Sequence, residues 1–195
     1  MPPTLNYPDL AAPAGWTYVR QGSLIRLAPP GVSHASATTV ILVSPLLPRH
    51  EKLPPPAELI AMAVTVEEKS GLHVSRRLGP FPTKTETGLA GVYFEIWAFP
   101  SPNRPEEHRL YVLFADESFY YGINYVATTA TFAEQETVFW ATARSLQPFR
   151  PDSAAPHPAK ADAATAKTPG PAGGNGVPGP ARSVHLDIPP TGYEE

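Results

Sequence analysis

The sequence has no cysteine, which excludes disulfides and thiolate metal sites. The fold must hold by burial alone. No apolar run approaches the ~20 residues that span a bilayer, since the longest, Val40 to Leu47, is broken by Ser44 and Pro45. That run predicts a strand. No basic residue precedes Arg20, so the start of the chain lacks the charged and apolar regions of a secretory signal. A cytoplasmic location is the expectation. A basic block or stripe is also missing and net charge is -3, which removes the electrostatic footprint of a nucleic-acid binder.

Signals of chemistry are equally sparse. His34, His50, His73, His108, His157 and His185 form no close pair on one helix or strand, so no metal site is expected. There is no Gly-x-Ser-x-Gly elbow, and Gly173-Gly174-Asn175-Gly176 has no strand before it or helix after it, as a phosphate-binding loop requires. No cofactor is implied. Glu95 stands on an apolar strand, a setting that disfavours the charged form and suits a general acid. The plainer reading is a carboxylate that is solvated or paired with an arginine.

What the chain has in excess is proline, 26 residues of 195. From Pro151 onward 24 of 45 residues are Pro, Gly or Ala, a composition that cannot bury a core and predicts disorder. Residues 1–150 then form one domain, large enough to bury roughly 70% of the surface of its unfolded chain. Residues 151–182 read as a linker, and 183–195 as a short motif. There Val184, Leu186 and Ile188 alternate with His185 and Asp187, which gives a strand-like segment one apolar face.

Within the domain, Thr17 to Arg20, Ser23 to Ala28 and Thr38 to Val43 read as strands, the third apolar on both faces and so covered on both sides. A helix follows from about Ala57 to Ser70, entered through Pro54-Pro55-Pro56 and stopped by Gly71. Its apolar side is Leu59, Ile60, Ala63, Val64 and Val66. Val74 to Leu78 and Thr83 to Thr87 are weaker strands, joined through Gly79-Pro80-Phe81-Pro82 and suited to a sheet edge. Pro45-Leu46-Leu47-Pro48-Arg49 reads as a plain connecting loop, with its polyproline-ligand spacing as the alternative.

Gly91 to Phe99, Arg109 to Ala115 and Phe119 to Ala130 are three further strands, closed by a helix that Thr131 caps with Glu134 and whose stripe for the sheet is Val138, Phe139, Thr142, Ala143 and Leu146. A two-residue loop at Asp116-Glu117 places Leu110, Val112 and Phe114 opposite Ile123, Tyr121 and Phe119 on one apolar face. The opposite face carries Arg109 with Asn124, Tyr111 with Gly122, and Leu113 with Tyr120. With Trp97 beside Tyr111 and Tyr93 farther along, an aromatic binding face is expected, made of Tyr93, Trp97, Tyr111, Tyr120, Gly122 and Asn124. A helix covering that face is the competing reading. The class is α+β, an antiparallel sheet flanked by helices in an α/β/α sandwich.

This layout resembles the Mog1/PsbP/DcrB-like superfamily. Three features support the likeness: Pro13-Ala14-Gly15-Trp16 before the first strand, one helix after the third, and a final helix ending in Ser145-Leu146 after Tyr121-Gly122-Ile123-Asn124-Tyr125. It covers roughly residues 5 to 150. The resemblance implies a non-enzymatic protein, since its members are mostly small-GTPase partners, photosystem accessory proteins and bacterial chaperones that load effectors for type VI secretion. The bacterial cytoplasmic, DcrB-like branch is the most similar, although its members usually lack such a tail. The expected function is a binding, chaperone or adaptor module whose partner is a protein, such as a secreted effector with apolar segments or a second copy in a homodimer. A small-ligand carrier or enzyme with a pocket around Glu95 is the alternative.

Overall fold

Strands rich in β-branched and aromatic residues make up most of the regular secondary structure. The computed structural model describes residues 5–50 and 53–150; the expected linker 151–182 and the motif with Val184, Leu186 and Ile188 lie outside them. In chain order the elements are β1 (Thr17–Gln21), β2 (Leu24–Ala28), β3 (Val40–Val43), β4 (Leu47–Pro48), α1 (Pro56–Lys69), β5 (His73–Lys84), β6 (Ala90–Phe99), β7 (Glu107–Ala115), β8 (Phe119–Thr128) and α2 (Phe132–Arg144). The eight strands form one antiparallel sheet, seven of them in the order β1-β2-β3-β8-β7-β6-β5 and the short β4 paired with β8. One helix packs on each face, which is the α+β class expected.

On the face toward α2, Ile25, Leu27, Ile41, Val43, Leu110, Val112, Phe114, Tyr121, Ile123 and Tyr125 alternate inward. Phe132, Phe139, Ala143 and Leu146 close over them. On the opposite face Phe94, Ile96, Ala98 and Tyr111 meet Ile60 and Val64 of α1 and Leu72. Each fully buried Leu, Ile or Phe contributes about 1.5–3 kcal/mol, so the two clusters hold the sandwich together without a crosslink. Val66, expected on the buried side of α1, is 63% exposed. It lies one position off the Ile60-Val64 stripe.

Four local expectations are corrected. β5 is a single strand through Gly79-Pro80-Phe81-Pro82, with register shifts between Val74 and Arg76 and between Leu78 and Phe81. Its edge position tolerates prolines that lack an N–H. Pro45-Leu46-Leu47-Pro48-Arg49 is not a free polyproline segment: β4 pairs with β8 at Tyr120 and Phe119 and resumes the ladder beyond β3. Thr131 makes no side-chain cap. Its hydroxyl instead lies 2.8 Å from the Thr128 hydroxyl.

The β7–β8 register also differs. Leu110, Val112 and Phe114 face Tyr125, Ile123 and Tyr121, a slip of two residues that leaves every side chain on its expected face. Asp116 sets the turn, because its Oδ1 accepts the amides of Ser118 and Phe119 at 2.7 Å each and its own amide bonds to Phe119 O. The loop is therefore Glu117-Ser118.

Candidate functional site

α1 lies over β5, β6 and β7, and among the described residues no helix covers the rest of that face. Along β8 the consequence is a strict alternation: Tyr121, Ile123, Tyr125 and Ala127 are buried toward α2, whereas Gly122, Asn124, Val126 and Thr128 are only half-buried. A groove of about 900 Å³ occupies the uncovered half. Its floor is Val40, Leu42, Asn124 and Val126; Tyr111, Arg109, Glu107 and Glu67 form one wall, and Val19 to Gln21 of β1 the other.

The α1 wall is a closed polar cluster. Arg109 donates to Glu107 through Nε at 2.9 Å and Nη2 at 2.5 Å, and through Nη1 to Glu67 at 2.7 Å and the Tyr111 hydroxyl at 3.0 Å. The Tyr111 hydroxyl donates to Glu67 at 2.7 Å. Burial opposes the charge on Arg109, but Tyr111 and Glu107 outweigh it and hold the guanidinium protonated; burial likewise raises Tyr111. The cluster ties α1 to β7. Arg109→Met is expected to lower stability by about 2 kcal/mol, below the usual 3–5 for a broken buried pair because Glu67 is 40% exposed and can rehydrate. A denaturation midpoint unchanged within 0.5 kcal/mol would mean that the cluster contributes nothing.

Arg26 on β2 and Arg104 in the loop between β6 and β7 also line the groove. Neither has a carboxylate partner among the described residues. Arg26 Nη2 donates to Ala37 O at 2.9 Å, while its buried Nε and the buried Nδ1 of His34 have no hydrogen-bond partner. With Arg109 neutralised by two glutamates, the groove is apolar below and cationic at one side.

The expected aromatic face does not assemble. β6 pairs with β7 so that Trp97 faces His108 and Tyr93 faces Val112, three positions from the expected register. An odd slip reverses faces. Tyr93, Glu95 and Trp97 therefore lie on the α2 side: Tyr93 meets Trp140 edge-on at 5.0 Å, and Trp97 stacks on His108 at 4.1 Å beneath the Arg76 guanidinium. Tyr120 is 1% exposed and donates to Pro54 O at 3.1 Å. Gly122 faces Leu113, not Tyr111, and a side chain there would approach Ser44 Oγ at 3.0 Å. No notch is open. Of the six residues, Tyr111 and Asn124, paired across β7 and β8, line the groove.

Glu95 does not line the groove. Burial raises its carboxyl, with Glu136 adding to the effect, and His108 Nε2 lies 3.5 Å away. That is too long for a hydrogen bond. Residues missed in the sequence include Leu42, Val126, Arg26 and Arg104. Arg26 had a signal, because it interrupts the Ile25/Leu27 alternation at a position where a polar side chain must face a solvated side. Among the described residues no three His, Asp or Glu side chains gather as metal ligands, and no helix is long and apolar enough to cross a membrane.

No family model matches this sequence, and no curated protein matches it. Several solved structures match the described chain. The solution structure of cyanobacterial PsbP (CyanoP) from Synechocystis sp. PCC 6803 matches with a TM-score of 0.51 and 12% identity, over 71% of this chain and 84% of that one. A crystal structure of protein PA94 from Pseudomonas aeruginosa, of unknown function and described as a regulator, matches with a TM-score of 0.43 and 14% identity, over 70% of this chain and 99% of that one. The CyanoP likeness shows that the described chain has a PsbP-like fold.

Proposed function

We propose that this protein is a non-enzymatic binding module that holds an extended apolar segment of a partner protein in the groove over β8, β3, β2 and β1. The observation that supports it is the half-covered sheet face: Leu42, Asn124 and Val126 stand in the middle of an eight-stranded sheet yet remain half-exposed. An apolar floor with a few convergent polar groups suits a ligand that brings side chains of its own. Tyr111 and Asn124 are its contacts from the expected set, with Leu42, Val126 and Arg26 beside them. A chaperone or adaptor role for a secreted effector is the form of this reading that the superfamily resemblance suggests.

The test uses fluorescence anisotropy with labelled ten-residue peptides of alternating apolar residues, one acidic and one basic at the polar positions. The acidic peptide is expected to bind more tightly, and Leu42→Asp with Val126→Asp to weaken it at least tenfold, about 1.4 kcal/mol, without a change in thermal midpoint. Trp97→Ala, on the opposite face, should leave affinity unaltered. Equal binding by the native and aspartate variants would refute the groove as the site.

A further inference from the structure

A sheet of this kind has two edges, and here they are unequal. β5 is guarded, with Pro80 and Pro82, two register shifts and the charges of Arg76, Arg77 and Lys84, all of which discourage pairing. β1 has no proline, keeps an unbroken register with β2 from Thr17 to Gln21, and is exposed at all five residues. Its outer backbone groups form a template for another strand. Val19 and Gln21 of β1 also line the groove, so a chain added at this edge would lie against the same cationic wall.

We infer that residues 183–195 of this same chain are the resident occupant of that edge and groove, as a self-capping segment that a partner must displace. This rests on the groove reading proposed above. The segment has the required chemistry: Val184, Leu186 and Ile188 alternate, Asp187, Glu194 and Glu195 are acidic, and no Lys or Arg occurs after Arg182. These carboxylates complement the guanidinium groups of Arg26 and Arg104 in the groove, which no described carboxylate partners. Strand addition would supply backbone bonds at β1, while side chains on one face would reach the groove.

The connection is long enough. The described chain leaves the fold beside β8, where Phe149 meets Phe119 edge-on at 5.3 Å. Val126 is seven residues along that strand, about 24 Å at ~3.4 Å per residue, and β1 three strands across, about 14 Å at ~4.8 Å each. The net distance is roughly 28 Å. Residues 151–182 number 32, and a random-coil chain of about that length has a root-mean-square span of about 31 Å. A match between span and distance maximises the local concentration, to the millimolar range for short flexible linkers. A segment with an intrinsic Kd of about 0.1 mM would then shield the groove about tenfold.

The experiment exploits the absence of cysteine. Ser183→Cys in the full chain takes a nitroxide label, and paramagnetic broadening of backbone amides is read in dilute protein. Broadening is expected at Val19, Arg26 and Leu42 but not at Phe81 or Thr83, and it should vanish when Val184, Leu186 and Ile188 are replaced by serine. The acidic peptide of the preceding test should bind that serine variant about tenfold more tightly than the native chain. Even broadening over both edges, or broadening that appears only between labelled and isotope-enriched chains in mixture, would overturn the proposal, the latter in favour of a second copy. Equal peptide affinity for the native chain and the serine variant would overturn it while leaving the groove intact. Absence of peptide binding to the serine variant would instead defeat the groove reading itself.

Discussion

Phe139→Ala is expected to remove about 3–5 kcal/mol of stability. Phe139 is fully buried at the centre of the α2 stripe, stacked on Tyr125 at 5.3 Å with 16° between the rings and against Trp140 at 5.2 Å. Tyr125 cannot move to fill the space, because its hydroxyl donates to Phe132 O at 2.8 Å and its backbone is paired with both β3 and β7. The cavity would therefore persist, and the cavity term adds to the lost transfer free energy. Against a total of about 5–15 kcal/mol the variant should melt roughly 10 °C lower. Val138→Ala, half-buried beside it, is the control, with a loss near 1 kcal/mol. Equal losses at the two positions would show that α2 docks through a different face.

That stripe was legible in the sequence because helical spacing and burial are both local. So were the apolar faces of β7 and β8, whose pattern survived a misplaced turn: the slip was two residues, and side chains alternate with period two. The loop from Pro100 to Glu106 carries no comparable signal, since a seven-residue connection with three prolines leaves the pairing of Trp97 open to either parity. Odd parity won, and Tyr93, Glu95 and Trp97 changed sides. Thr38 to Val43 failed for another reason. An apolar strand predicts cover on both faces, but Leu42 faces the groove, because α1 is displaced toward β5, β6 and β7. Where a helix lies across a sheet is set by tertiary packing, and no single strand records it.

The same change of parity creates the main pH sensitivity expected of the fold. His108 sits between Trp97 at 4.1 Å and Phe132 at 3.4 Å, with its side chain 12% exposed. Burial pushes its pKa down to about 4 from 6.5, and Arg76 adds to this while Glu106 opposes it. Phe132 also opens α2, and the positive end of a helix disfavours a second cation. Between pH 6.5 and 4 the unfolded chain binds a proton at His108 that the folded chain refuses, so stability falls as pH falls. At pH 4.5 the loss relative to pH 7.5 is about 2.5 kcal/mol from this residue. Glu95 acts in the opposite sense: its raised carboxyl costs stability at neutral pH, and protonation relieves that cost as pH falls. Urea unfolding at pH 7.5 and 4.5 measures the net slope, and His108→Phe isolates the imidazole, since a third apolar ring can occupy the stack without titrating. The variant should lose most of the decline and keep only the carboxylate contributions. Identical pH profiles for the two proteins would mean that His108 is protonated within the folded stack, and that cation–π attraction to Trp97 and Phe132 outweighs its burial.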